Sequence, residues 1–400
     1  ATVIAILMMV GGLYVNRLGA QKLEEEHTAK YNGYISDIEK YSDAGEYLEA
    51  DKYIDLAIEL EPTKLRPYYM RMQNMYDQCE YEKCIVYPDR VMTADVLNEN
   101  AQNDEMKANM YIMAADSAFE LELYENAIEL YRKALFYDDE REDSYRDLTI
   151  SYARSGDIEH AQSTLEKAEE AGVSNDQLLL MSGEIANTKG EYVEAFDIFC
   201  ETVEVTKKDY IKFRALLICD KMVRDNPDAI PDAPFKMTSL LDKTRKTIDT
   251  AYSVTLTEML ANQYVLCGNR TGDDSYYAKA VSCYYELNDS GTLSYDSKMN
   301  CFNILYSKLG NYTKCLEMLE LMEQEKPEDY RVWMNYSYTY AAIENEKPDV
   351  ASRDYNQAYD CYLKADELYQ QQKGNSGKTD ADMDRLRNEM QQLKADGRVS

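Results

Sequence analysis

Histidine is nearly missing from this 400-residue chain, which has only His27 and His160. A His-based metal site or proton relay therefore has almost no material to work with. Glycine (16) and proline (8) are both scarce, as expected where most of the chain is helical. Positive charge is also short: 44 basic side chains stand against 74 acidic ones, a net −30. That balance argues against a nucleic-acid partner, since a phosphate backbone selects basic surfaces. No CxxC, HExxH, GxSxG, HRD or DFG occurs, so no recognisable catalytic set is present. The chain is not read as an enzyme, and no cofactor or metal is expected.

What is present is enough apolar material for a core, 45% of residues, which excludes wholesale disorder. Tyrosine is in excess, 36 residues against seven Phe and one Trp, so most aromatic packing has to use a ring with a polar tip. The nine cysteines mostly fall where a helical repeat needs a small buried residue, and they are read as plain core packing.

The chain starts ATVIAILMMVGGLYV, and its first charged side chain is Arg17. This segment is apolar on every face rather than striped. It predicts a transmembrane anchor over 1–15, completed by residues upstream, followed by a juxtamembrane segment over 16–28. A signal-peptide core and a buried soluble helix are the rival readings.

Past residue 28 the chain reads as amphipathic helices of 12–15 residues separated by short turns. The punctuation recurs. Gly45, Tyr47, Ala50, Ile54, Ala57 and Pro62 are matched by Tyr124, Ala127, Tyr131 and Ala134. They are matched again by Gly156, Ala161, Leu165 and Ala168, by Gly190, Tyr192, Ala195 and Phe199, and by Gly310, Tyr312, Cys315, Leu319 and Pro327. Ala50 to Cys84, Ala127 to Ala161 and Ala161 to Ala195 are each 34 residues apart. In such a pattern each repeat is two antiparallel helices, A and B. The small residue lets them approach, and the large one four positions on fills the space beside the next repeat.

This 34-residue pattern resembles the tetratricopeptide (TPR) family over 29–373. The resemblance implies an all-α, right-handed α-solenoid of about nine helix pairs. A linker and polar capping helix over 374–400 would follow it, and the transmembrane helix would precede it. A narrower resemblance rests on KPEDYRVWMNYSYTYAAIENEKPDVASRDYNQAYDCYLKADELY, LTEMLANQY and LLLMSGEIANTKGEY. These runs look like the repeat regions of clostridial membrane proteins in which a cytoplasmic Ser/Thr protein kinase precedes one transmembrane helix. That layout implies a single-pass protein of the cell membrane with the repeats outside, and it implies a sensor role toward an upstream kinase as an alternative function. Arg17 and Lys22 beside the apolar run, and nine thiols without disulfide spacing, favour the inside instead.

Two further motifs have plain explanations. SGKT at 376–379 resembles the end of a phosphate loop, but Gln372 stands where that loop needs its first Gly, and a flexible linker is the better reading. The acidic run 138–144 lacks the Gly and terminal Glu of a calcium loop and reads as a solvated turn.

The expected function is protein or peptide binding. In the family, helix A lines the concave face. The positions of this chain that match its ligand-facing register are Arg66, Tyr69, Gln73 and Tyr76 in the second repeat, and Arg331, Met334, Tyr338 and Ala341 in the ninth. Arg146, Arg214, Lys221, Asn262 and Asn300 lie between them. The Lys/Asn arrangement that clamps a peptide C-terminal carboxylate is absent. Tyr and Arg on one face suit an extended peptide, and the net charge favours a basic or amphipathic one.

Overall fold

Ala50, Ala127, Ala161 and Ala195 are fully buried, as are Cys84 and Cys315 at the equivalent positions. Each sits where two antiparallel helices touch, and the large residues four positions on, Ile54, Tyr131, Phe199 and Leu319, are buried beside them. The computed structural model describes residues 2–92, 101–376 and 380–399, with side chains for 19–92, 103–372 and 380–399. Its described residues form 19 α-helices and one short 3-10 turn, an all-helical, tetratricopeptide-like repeat.

The chain divides into two compact units, Ala1–Val205 and Thr206–Ser400. The first holds five helix pairs: α1 (Thr2–Asp43) with α2 (Tyr47–Leu60), α3 (Leu65–Asp77) with α4 (Tyr81–Met92), α5 (Ala101–Glu120) with α6 (Tyr124–Tyr137), α7 (Glu142–Ser155) with α8 (Ile158–Glu170), and α9 (Asn175–Thr188) with α10 (Tyr192–Val205). The second holds four more: α11 (Asp209–Asp225) with α12 (Ala233–Thr244), α13 (Thr250–Thr271) with α14 (Asp274–Asp289), α15 (Tyr295–Ser307) with α16 (Tyr312–Glu325), and α17 (Tyr330–Glu346) with α18 (Asn356–Ser376). The short turn is Val350–Ser352, and α19 (Ala381–Ala395) closes the unit. In α19, Asp380 caps the first turn by accepting from the backbone N–H of Asp382 and Met383. Met383, Leu386 and Met390 of that helix are buried in one cluster with Tyr355, Tyr362 and Tyr369.

The turn from A to B explains its glycine. Gly156 adopts φ 87°, a left-handed conformation that costs a residue with a Cβ about 1–2 kcal/mol. Its N–H reaches the Ala153 carbonyl, and the Asp157 N–H reaches that of Tyr152, so the last carbonyls of α7 are satisfied. A different glycine serves the A–B contact itself. A Cβ on Gly183 would lie 2.7 Å from the Phe199 ring, so the ring occupies the space that any other residue would fill.

The transmembrane helix expected over 1–15 is corrected. No helix among the described residues is long and apolar enough to cross a membrane. The charge-free run over 2–16 is helical. The helix that contains it does not stop there. It continues through the Lys22–Glu26 ion pair and delivers Tyr31, Ile35 and Ile38 to the core against α2, so α1 serves as helix A of the first pair.

Candidate peptide-binding surface

On α3, residues 66, 69, 73 and 76 follow a spacing of three or four and so share one helix face. Arg66 is exposed and ion-paired to Glu39 of α1 at 2.6 Å. Gln73 is exposed and donates to the Tyr69 hydroxyl at 3.3 Å. Tyr69 and Tyr76 are half-buried, with their rings turned toward residues of α5. Burial raises the Tyr69 phenol, Arg141 opposes the rise and Glu105 adds to it. Burial, and then Asp116 and Glu120, push the Tyr76 phenol up to about 12. The Tyr76 ring also meets Tyr81 of α4 edge-on, with centroids 6.1 Å apart. These four residues are therefore brought together, and two of them already help to pack α3 against its neighbours.

Glu105 and Glu120 were missed in the sequence reading. Both are exposed on α5, and both act on the tyrosines of α3. The surface they complete is aromatic and acidic, with amide groups from Gln73 and Asn109. Neither acid stands out in a chain with 74 of them; only the pairing of α3 with α5 picks them out.

Arg146 is placed differently. It is buried, bonded to Asp143 at 2.6 Å and Asp147 at 2.5 Å, and it reaches Gln177 of α9 at 3.2 Å. Arg154 of the same helix pairs with Glu184 of α9 at 2.9 Å, with that carboxylate almost fully buried. Burial opposes the Arg154 charge, yet Glu184 holds its guanidinium above the ordinary value. These contacts tie one helix A to the next. The acidic run 138–144 contributes to the same end, since Glu142 accepts from the Ser174 N–H and hydroxyl and Asp143 pairs Arg146. No group of side chains that could hold a metal occurs among the described residues.

In the second unit the same device recurs: buried Gln263 of α13 donates to Asp220 of α11 at 2.8 Å, and Ser297 of α15 to Glu258 of α13 at 2.7 Å. Around these bonds, Arg214 is half-buried on α11, while Lys221, Asn262 and Asn300 are exposed on α11, α13 and α15. Asn262 accepts from the Tyr284 hydroxyl at 3.4 Å. Arg331 is exposed, clamps Asp329 at 2.6 Å, and borders a cleft of about 610 Å³ with Lys326, Tyr330 and Gln372. Met334 is buried. Tyr338 donates to the Asp382 carbonyl at 2.9 Å and lies under Arg385, so α19 covers part of the last helix A. Of the SGKT segment, residues 377–379 lie outside the described residues.

No known family profile matches the chain, and no curated protein does. Solved structures do. A tetratricopeptide repeat protein from Parabacteroides merdae is 14% identical, covering 70% of this chain and 99% of its own at a TM-score of 0.45. YrrB, described as a TPR protein with an unusual peptide-binding site, is 16% identical over 46% of this chain and 89% of its own, at 0.36. A human IFIT1 dimer with PPP-AAAA is 13% identical over 84% and 82%, at 0.35. At these scores the helix-pair architecture rests on this chain's own helices. The narrower likeness to kinase-linked repeat regions gains nothing beyond the residues quoted for it.

Proposed function

We propose that the chain is a protein-interaction scaffold whose helix-A face takes an extended peptide carrying Lys or Arg beside apolar side chains. The observation that carries this reading is the stripe Tyr69–Gln73–Tyr76 on α3 flanked by the exposed carboxylates Glu105 and Glu120 of α5. Tyrosine rings supply contact area at low entropic cost, and their faces attract cations. Gln73 can pair a peptide backbone group, and the two carboxylates select positive charge. The chain's net −30 draws the same class of partner from a distance. A polyanion such as nucleic acid is disfavoured on the same ground.

Selection of a random peptide library displayed on phage against the full chain tests the reading. Enriched peptides should combine basic with aromatic or aliphatic residues. Their affinity should fall by about tenfold or more when Gln73→Ala and Glu120→Lys are combined, with helical circular dichroism unchanged. Enrichment of acidic peptides alone, or an undiminished affinity in that variant, would refute it.

A further inference from the structure

Elsewhere in the first unit, α6, α7 and α8 enclose a groove of about 480 Å³. Arg132 and Phe136 come from α6, Tyr145 and Tyr152 from α7, and His160 and Lys167 from α8. None of the ten lining residues is acidic, on a chain where acidic residues outnumber basic ones 74 to 44. Arg132 and Lys167 are exposed and stand outside the ion-pair network that engages Lys133 and Arg146 nearby. Phe136 is 81% exposed, close to the extreme for a large apolar side chain among the described residues. His160 stacks on Tyr152 with centroids 5.3 Å apart, and its ring is held by Asp157 at 2.8 Å. Asp157 and Asp139, which acts on the Tyr145 phenol, bear on the rim, and Glu129 and Glu170 stand three residues from Arg132 and Lys167 on their own helices.

We propose that this groove docks an acidic peptide segment bearing one aromatic or aliphatic residue. Its carboxylates pair with Arg132 and Lys167, and its apolar side chain covers Phe136 against Tyr145. An exposed aromatic in one groove with two exposed cations brings together the residue types, aromatic and Arg, that protein interfaces are enriched in. A nucleic acid would bring a run of phosphates onto two cations and a chain of net −30, whereas a short acidic segment needs only the local pairs. At physiological salt the screening length is about 8 Å, so those local cations outweigh the distant net charge. The site shares no residue with the α3–α5 surface, differs from it in sign, and stands or falls apart from it.

The test is fluorescence anisotropy of a labelled synthetic peptide, one Phe flanked on each side by three Glu, titrated with the full chain to about millimolar concentration. Saturable binding is expected, weakened about tenfold or more by Arg132→Glu combined with Lys167→Glu and also weakened by Phe136→Ala. Gln73→Ala should leave it unchanged. All three groove positions are exposed, and circular dichroism verifies that the variants fold. Absence of saturable binding, parental affinity in the double variant, or binding of a labelled single-stranded RNA in preference to the peptide would overturn the proposal.

Discussion

Glu122 and Cys79 occupy, at φ 58° and 56°, turn positions of the kind that Gly156 and Gly190 fill elsewhere. A side chain there costs roughly 1–2 kcal/mol, partly offset because glycine loses more freedom on folding. Glu122→Gly should therefore stabilise the chain by up to about 1 kcal/mol and raise its melting temperature; a lowered one would show that the Glu122 side chain contributes more than its strain costs. Tyrosine carries the second residue-scale expectation. Burial, followed by nearby acids, raises the phenols of Tyr111, Tyr295 and Tyr336, and burial pushes Tyr87 and Tyr306 up to about 12. A folded value above the unfolded one, about 10, contributes stability that is complete below pH 10 and is lost as pH rises through the folded values. Tyrosinate absorbance should therefore rise in two stages, with the second coinciding with loss of helical signal. A single transition near pH 10 with helix intact would contradict the burial of these rings.

At the scale of the helix, the small residue at the A–B contact was readable in advance because its chemistry repeats every 34 positions. Ala161 has no exposed surface, so Ala161→Leu has to push α8 away from its partner. We expect a loss of about 1–3 kcal/mol in urea unfolding, and an unmoved midpoint would mean that the register is wrong. The polar bonds between successive A helices were not readable. Arg146, expected to face a ligand, instead joins Gln177 of α9, because a residue on the A face meets either solvent or the next A helix according to its height along the stack. One sequence carries no signal for that choice; it depends on which residue stands 31 positions later, and here that is a buried Gln. Tyr338 is partly covered by a related effect, since α19 lies over it and takes up its hydroxyl. The length of α1 was hidden by its apolar start, which drew a boundary at residue 15 inside one continuous helix.

Over the whole molecule, surplus acid and surplus tyrosine describe the same design. Five helix pairs in one unit and four in the other leave a large surface relative to core, and rings with a polar tip can line it while remaining packed. Net charge of −30 keeps such a surface soluble and sets the sign of what approaches it. We propose that recognition occurs on the helix-A face of the first unit, at α3 and α5. Hydrogen–deuterium exchange of the full chain, with and without a peptide enriched by the library selection, tests that claim most directly. Added protection should concentrate in 65–77 and 101–120, with 81–92 and 158–170 unchanged; protection confined to those B helices, with α3 and α5 exchanging as in the free chain, would contradict it.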